Sequence, residues 1–222
     1  MLRPVNLPAA PSCPATLLVH LDAALIVADK PAGLLAVPGR GPDKADCLSA
    51  RVQADHADAL IVHRLDMATS GLILLARGPV MQRLLSAAFA ERRVVKTYVA
   101  MVQGLLAEDA GEIDLPLAAD WPNRPRQQVD GVRGKASLTR WKVLSRDPAS
   151  GLSRVALQPV TGRSHQLRVH LAAIGHSILG DTLYAGPAAA AAAPRLLLHA
   201  SRLQLEHPLH GTCLDLSSGV PF

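Results

Sequence analysis

The fold of this chain is most clearly encoded by the segment His63-Arg64-Leu65-Asp66-Met67-Ala68-Thr69-Ser70-Gly71-Leu72-Ile73-Leu74-Leu75-Ala76-Arg77. Apolar runs at residues 59–62 and 72–76 flank its polar part, and both are rich in residues that suit buried strands. Thr69-Ser70-Gly71 predicts a turn between these strands, because short polar residues and glycine favour turns. Asp66 is therefore predicted to lie at the mouth of a strand–loop–strand unit, close to the core but outside either strand.

The charge of Asp66 requires a partner. An ionised carboxylate near a core is costly unless a cation or several hydrogen-bond donors stabilise it. Arg64 is a poor candidate, because residues two apart share a face only where a strand continues through both of them. We therefore expect the cation to come from a distant part of the chain. The alternative is that Asp66 is a structural residue of a turn, a common position for aspartate.

Length and composition favour one catalytic domain. The chain has 222 residues, of which 49% are hydrophobic and 3% are aromatic, so its core is expected to consist of Leu, Val, Ile and Ala. No linker rich in Pro, Gly or Ser divides the sequence, and no apolar run approaches the ~20 residues of a membrane span. The proline-rich start does not resemble a signal peptide. We expect a flexible extension at residues 1–15, a single domain at 16–222 and a cytoplasmic location.

Cysteine and histidine spacing argues against a metal site or disulfides. The cysteines are far apart and form no CxxC pair, which predicts reduced thiols. A group of histidines in the second half lacks i, i+4 spacing, and the chain contains no HExxH string. The residues concerned are Cys13, Cys47, Cys213, His165, His170 and His176.

The charge is compatible with a nucleic-acid partner. The formal net charge is +5, and most of the cations are arginine. Arginine offers a planar fork for phosphate and a flat surface for stacking on bases. Because a GC-rich genome also favours arginine codons, charge alone leaves RNA or DNA binding open.

A second polar segment reads Thr161-Gly162-Arg163-Ser164-His165-Gln166-Leu167-Arg168-Val169-His170-Leu171. Ser164 is predicted to cap a helix, Leu167, Leu171 and Ile174 to form its apolar stripe, and Gly175 to end it. The free N–H groups of the first turn, with Arg163 and His165 nearby, would then form an anion site. The alternative is a short packed helix with a polar start.

The remaining hydrophobic patterns predict alternating strands and helices. Asp46 is expected to cap a helix that ends near residue 58, and Glu91-Arg92-Arg93 to form the solvated end of a helix that begins near Pro79. That second helix has apolar residues Val80, Leu84, Leu85, Ala88 and Phe89 on one face. Strands are predicted within 16–28 (two strands around Asp22), and at 94–102, 137–144 and 153–160, with an exposed loop at 115–130.

The segment from His63 to Gly71 resembles the signature of the RluA family of RNA pseudouridine synthases. In that family His-Arg-Leu-Asp, two variable residues and Thr-Ser-Gly precede an apolar strand. Five more segments are similar to family blocks in the same order, although Ser177 stands where the family usually has proline. They are Lys30-Pro31-Ala32-Gly33-Leu34, Lys96-Thr97-Tyr98, Thr161 to Arg168, Gly175 to Asp181 and Leu196 to Ala200.

The resemblance implies a fold and a reaction. The fold is of the α+β class, mixed α/β, with a long, bent, largely antiparallel central sheet flanked by helices and loops around a central cleft. The reaction isomerises a uridine within RNA: the N1–C1′ bond breaks, the uracil turns and C5 bonds to C1′. No group is lost and no redox change occurs, so no cofactor is required. The partner implied is RNA, with no membrane, and we expect a monomer.

The resemblance also implies roles for individual residues. Asp66 would be the catalytic nucleophile and Arg168 its cationic partner. Tyr98 would be a catalytic residue beside Asp66, placed either to stack on the base or to take the C5 proton, and Leu167 and Leu198 would form the floor of the site. Residues expected to contact RNA are His63, Arg64, Arg126, Lys135, Arg163, His165 and Gln166.

The string Asp120-Trp121-Pro122-Asn123-Arg124-Pro125 is similar to the branch of this family that modifies both ribosomal and transfer RNA. It implies a 23S ribosomal RNA hairpin and a tRNA anticodon stem-loop as substrates. Some relatives carry an additional S4 RNA-binding domain. Only about fifteen residues precede the first predicted strand, too few for a domain of ~50 residues, so we expect no S4 domain here.

Two other functions are compatible with parts of the sequence. A non-catalytic RNA-binding protein would account for the charge and the loops, but not for a protected aspartate with a distant arginine. An Asp-dependent glycosidase or hydrolase would use Asp66 as nucleophile. Such enzymes pair two carboxylates, and no second acid stands out in the segments described above.

Overall fold

The fold is built around one large, twisted sheet. The computed structural model describes residues 17–41 and 44–222, and the sheet has ten strands within these ranges. The expected N-terminal extension and Cys13 lie outside them. The elements are β1 (Leu18–Leu21), β2 (Leu25–Lys30), α1 (Leu48–Asp55), β3 (Ala59–Ile61), β4 (Ser70–Arg77), α2 (Gly78–Ala90), β5 (Val95–Gln103), β6 (Ala110–Asp114), β7 (Leu117–Ala119), β8 (Gln127–Val129), β9 (Leu138–Asp147), β10 (Leu152–Pro159), α3 (Gln166–Ala173), α4 (Pro187–Ala191), β11 (Leu198–Glu206) and β12 (Cys213–Ser217).

The sheet is antiparallel along nearly its whole width. The strand order is β1-β2-β4-β11-β5-β10-β9-β6, with β3 paired to β4 and β12 paired to β11. Only β4 and β11 run parallel, and β7 and β8 form a separate two-stranded sheet. The predicted class, α+β with a long and largely antiparallel sheet, is confirmed.

The parallel contact between β4 and β11 is short and sits at the centre of the molecule. It consists of the pairs Ser70–His199 and Gly71–Ala200. Gly71 has a φ of 111°, and a Cβ there would lie 2.3 Å from the Ala200 carbonyl oxygen, so only glycine allows this approach. The register of β11 shifts after Ala200, and from Arg202 onward β12 is its partner on that side. The segments that lead into the short contact, residues 66–69 and Leu198, therefore face the cleft described below.

The boundaries of several elements differ from those predicted. The predicted Thr-Ser-Gly turn was placed too late: the chain turns at residues 66–69, and Ser70 and Gly71 already belong to β4. Helix α1 begins later and ends earlier than predicted. Its N-cap is Cys47, whose Sγ accepts a hydrogen bond from Ala50 N, while Asp46 pairs with Arg51 instead.

Helix α2 buries a narrower face than its sequence predicts. Leu85 and Ala88 are buried, whereas Val80 and Leu84 are 52% and 46% exposed. The helix packs chiefly on β4, and one helix packed on one strand covers only a narrow stripe.

Helix α3 also begins differently from the prediction. Its N-cap is His165, not Ser164, and His165 has left-handed backbone angles (φ 53°) with no side-chain capping bond. Leu167 and Leu171 are buried, but Ile174 is 37% exposed and so extends beyond the stripe. Gly175, with a φ of 86°, ends the helix as predicted. In the described ranges, no helix has both the length and the apolar character needed to cross a bilayer.

Candidate active site

A cleft of about 1280 Å³ opens over the central strands. Its walls come from distant parts of the chain: residues 62–69 from the first half, and residues 124–127 and 159–168 from the second. Leu167 and Leu198, both predicted to form the floor, line it and are 7% and 3% exposed. The signature loop thus faces the second polar segment across one cavity.

The loop that carries Asp66 is held from beneath by a buried lysine. Lys30 is fully buried, and its ammonium group donates hydrogen bonds to the carbonyl oxygens of Pro31 (2.9 Å), Leu34 (2.8 Å) and Met67 (3.1 Å). Burial lowers the pKa of Lys30 to about 8, against the charge of Asp66, which raises it. The Asp66 carbonyl closes the turn by accepting from Thr69 N at 3.1 Å. The Asp66 carboxylate is left 28% exposed at the cleft surface.

The distant cation that the sequence predicts is Arg168. Its Nη1 lies 3.5 Å from Asp66 Oδ2, and its side chain is 5% exposed. Its strongest partner, however, is Asp181, which accepts from Arg168 Nε at 2.7 Å and from Nη2 at 2.6 Å. Burial disfavours the guanidinium charge, but the hydrogen bonds and charge of Asp181 outweigh it and raise the pKa of Arg168.

Asp181 is a residue of this site that the sequence reasoning missed. It is 1% exposed, and its Oδ1 also accepts from the backbone N–H groups of Leu183 (2.9 Å) and Tyr184 (3.2 Å). With these donors and a bidentate arginine, it is fully committed to bracing Arg168. The available signal was an aspartate within the Gly175-to-Asp181 block, a segment otherwise typical of a buried turn.

Tyr98 lies on β5 where two regions of the core meet. Its ring packs against both the cluster around Ile26 and the cluster around Leu157, and it lines the cleft. Burial, together with the nearby charge of Asp66, raises the pKa of Tyr98 well above its usual value. The phenol is therefore neutral and protonated at neutral pH.

His165 approaches the carboxylate oxygen of Asp66 that Arg168 does not approach. Its Nε2 is 3.9 Å from Asp66 Oδ1, and its Nδ1 is 2.6 Å from the hydroxyl of Tyr184. Burial lowers the pKa of His165, against the opposing effect of Asp66, so its neutral form is favoured.

The residues predicted to contact RNA occupy different environments. Arg64, Arg126 and Arg163 are exposed on the cleft walls, whereas Lys135 is exposed outside the cleft lining, where its backbone pairs with Leu117.

His63 and Gln166 line the cleft but are engaged with the protein. His63 Nε2 accepts from Leu74 N at 2.9 Å, and its ring stacks on Phe89 at 4.5 Å. Burial lowers the pKa of His63 to about 3, and the charge of Lys96 adds to the shift. Gln166 is 3% exposed, and its amide bonds to Leu138 O, the hydroxyls of Thr139 and Thr161, and Arg163 N. Both side chains therefore support the walls from within.

The cleft wall contains further cations and an aromatic side chain. Arg92, predicted to be a solvated helix end, has left-handed backbone angles (φ 61°) and lines the cleft together with the partly buried Lys96. Trp121 is 62% exposed, and the guanidinium of Arg124 stacks on its ring at 3.6 Å. Among the residues that the structure describes, no three His, Cys, Asp or Glu side chains are grouped to hold a metal ion.

Comparison with known proteins identifies the family to which the chain is similar. Residues 24–173 match the family described as RNA pseudouridylate synthase. The dual-specificity RNA pseudouridine synthase RluA of Yersinia pestis is 53% identical over 206 residues, which cover 93% of this chain and all of that protein. Its Escherichia coli K12 counterpart is 46% identical over 212 residues, 96% of each chain.

Solved structures show the same architecture. Human RNA pseudouridylate synthase domain containing 1 has a TM-score of 0.77 and 26% identity, covering 100% of this chain and 87% of that one. Human RNA pseudouridylate synthase domain containing 4 has a TM-score of 0.73 and 27% identity, covering 92% of this chain and 88% of that one. The chain therefore belongs to the RNA pseudouridylate synthase family.

Proposed function

We propose that this protein isomerises a uridine to pseudouridine in stem-loop RNA, with Asp66 as the nucleophile. The observation that carries the proposal is the pairing of Asp66 with Arg168 at 3.5 Å inside a cleft walled by arginines. These two residues belong to different segments, one of which resembles the family's signature and the other a further block of the family. A carboxylate that is paired with a guanidinium, yet partly exposed, has the properties that a nucleophile needs.

The reaction needs little beyond these side chains. The N1–C1′ bond breaks, the uracil turns, C5 bonds to C1′, the C5 proton leaves and N1 ends protonated, so the product is an isomer of the substrate. Asp66 can act by attacking C1′, by attacking C6 or by assisting the departure of uracil. Arg168 attracts the carboxylate and holds it in place. Tyr98 is a protonated phenol, which favours stacking on the base over accepting the C5 proton.

Access to the base requires that it leave the RNA stack. The cleft is large enough for an extruded nucleotide, and its exposed arginines can neutralise the flanking phosphates. Arg64, exposed two residues from Asp66, is placed to fill the gap left by the extruded base. Unpaired loops are also where RNA sequence is most readily read.

The substrates proposed are a 23S ribosomal RNA hairpin and a tRNA anticodon stem-loop. Support comes from the dual-specificity relatives and from the exposed 120–125 segment, which lies on the cleft wall with Trp121 stacked by Arg124. Both RNAs are cytoplasmic in bacteria, and we propose the same location for the enzyme.

A hydrolytic reaction finds less support. A glycosidase would need a second carboxylate free to act as acid or base. Asp181 is the second acid at this site, and it is committed to Arg168 and to two backbone N–H groups. Hydrolysis would release free uracil, which provides a direct distinction.

The test uses both RNAs labelled with tritium at C5 of uridine. The wild-type protein is expected to release tritium while all uracil stays in the RNA, and Asp66→Asn is expected to bind both RNAs without releasing tritium. RNA binding by the wild type with no release would favour a non-catalytic binding protein. Free uracil in the products would favour the hydrolase, and release from neither RNA but from a third would refute the substrates proposed here.

A further inference from the structure

The hydroxyl of Tyr184 joins the RNA-facing loop to the catalytic carboxylate. It accepts a hydrogen bond from Gln127 N at 2.8 Å, at the start of β8, and lies 2.6 Å from His165 Nδ1. The ring is covered by the guanidinium groups of Arg168 at 5.0 Å and Arg126 at 5.5 Å. Tyr184 is thus in contact with both walls of the site without facing the substrate position itself.

The fixed direction of the Gln127 hydrogen bond favours one tautomer of His165. A backbone N–H can only donate, so the Gln127 contact uses a lone pair of the Tyr184 oxygen. The single hydroxyl proton remains for an acceptor, and in the described part of the chain His165 Nδ1 is the hydrogen-bond partner in position to accept it. A neutral imidazole that accepts at Nδ1 carries its own proton on Nε2.

That Nε2–H group faces the catalytic carboxylate. Nε2 lies 3.9 Å from Asp66 Oδ1, while Arg168 Nη1 lies 3.5 Å from Oδ2, so the two carboxylate oxygens face two different donors. A closure of about 1 Å brings Nε2 into hydrogen-bond range. Donors on both oxygens fix the plane of the carboxylate, which decides the direction in which its lone pairs point.

The backbone conformation of His165 supports a functional role for this residue. Its φ of 53° lies in the left-handed region, which is uncommon for residues other than glycine. Such conformations persist where the surrounding structure enforces them, and they are concentrated at functional sites. His165 has such a conformation, and its ring lies between Tyr184 and Asp66.

We propose that His165 is a positioning residue for Asp66, acting as a neutral Nε2–H donor, and that Tyr184 holds it in this tautomer. The effect on turnover rests on the proposed function; the tautomer does not. Without the Tyr184 hydroxyl, the ring proton is free to move to Nδ1. An unprotonated Nε2 then presents its lone pair to the carboxylate, replacing an attraction with a repulsion.

Three variants and one control variant test the effect on turnover. Tyr184→Phe keeps the ring beside Arg168 but removes the hydroxyl, and His165→Asn tolerates the left-handed backbone but lacks a group at the Nε2 position. Each is expected to lower kcat at saturating RNA by about tenfold or more, the effect of one hydrogen bond to a charged group, with KM within about twofold. His165→Gln places an amide near the Nε2 position and is expected to recover part of the loss. His176→Asn, at a partly buried histidine outside the cleft lining, is the matched control and is expected to keep wild-type kcat.

The tautomer is measured directly by NMR with ¹⁵N-labelled histidine, with His165 assigned from the spectrum of His165→Asn. The wild type is expected to show the proton on Nε2, and Tyr184→Phe to show a shift toward the Nδ1–H form. A wild-type proton on Nδ1, or wild-type kcat in both Tyr184→Phe and His165→Asn, overturns the inference. If the wild type isomerises no RNA, the proposed function fails, while the NMR result still decides the tautomer.

Discussion

The inner part of the cleft and its rim differ in how far their side chains are exposed to solvent. The inner group, whose side chains are buried or partly buried, consists of Asp66, Tyr98, His165, Arg168, Asp181 and Tyr184. The rim, whose side chains are exposed to solvent, consists of Arg64, Arg92, Trp121, Arg124, Arg126 and Arg163.

The difference separates the two tasks of the enzyme. Charges in the inner group are desolvated, so each depends on its partner, and removing one leaves another uncompensated. Charges on the rim are hydrated and contribute little to folding, but they remain available for RNA phosphates. We therefore expect inner variants to change turnover and stability, and rim variants to change RNA affinity and its dependence on salt.

The largest effect is expected at Asp66. Asp66→Asn removes the proposed nucleophile and should lower kcat at least about 1000-fold, because loss of a nucleophile removes the covalent pathway. RNA affinity should stay within about twofold, since the rim is unchanged. Single-turnover tritium release and filter binding measure the two quantities. A variant that turned over at more than a tenth of the wild-type rate would remove Asp66 from the centre of the mechanism.

The next effect is expected at Asp181, on stability as well as turnover. Asp181→Asn leaves the buried Arg168 without its bidentate partner, which should lower the free energy of unfolding by about 3 kcal/mol. The matched control is Asp215→Asn, because Asp215 also pairs in bidentate fashion with an arginine, Arg202, but at the surface. Urea denaturation should show no resolvable change for the control. Equal losses in both variants would contradict the distinction between buried and exposed pairs.

A smaller effect is expected at Trp121 on the rim. Trp121→Ala removes the exposed ring on which Arg124 stacks. Stacking on one base is worth about tenfold in affinity, so Kd for stem-loop RNA should rise by about that factor. The midpoint of thermal unfolding and kcat at saturating RNA should match the wild type. A loss of kcat without a change in Kd would place Trp121 with the inner group instead.

The smallest effect is expected at Arg92, whose neighbour provides an internal control. Arg92 lines the cleft, while Arg93 is paired with Glu91 outside the cleft lining. Arg92→Gln should reduce the slope of log Kd against log salt by about one, the value for one lost phosphate contact, and Arg93→Gln should leave it unchanged. Identical slopes for the two variants would show that Arg92 does not contact RNA phosphates.

Much of the site could be predicted from the sequence because its residues stand in contiguous strings. The prediction that Asp66 needs a cation from elsewhere, and that Arg168 supplies it, matches the 3.5 Å contact. Asp181 could not be derived in this way. Its role depends on a bidentate geometry with Arg168 that no local spacing encodes, and local reasoning would make it an ordinary turn residue.

The positions of the rim arginines also could not be derived from the sequence. Arg92 and Arg93 are adjacent and chemically identical, and the sequence predicts the same solvated helix end for both. In the structure their environments differ. Arg92, which follows the end of α2, has left-handed backbone angles and lies on the cleft wall, whereas Arg93 does not line the cleft.

The sequence by itself determined the alternation that makes the strands, the need of Asp66 for a cation, and the strings that mark the family. These follow from local physics, because side-chain periodicity and turn chemistry depend on neighbours a few residues away. The tertiary structure alone decided that Asp181 braces Arg168, that Tyr184 meets His165 and that Arg92 faces the cleft. Those contacts join residues more than ten positions apart, and an ion pair or hydrogen bond is decided by distances that no local pattern contains.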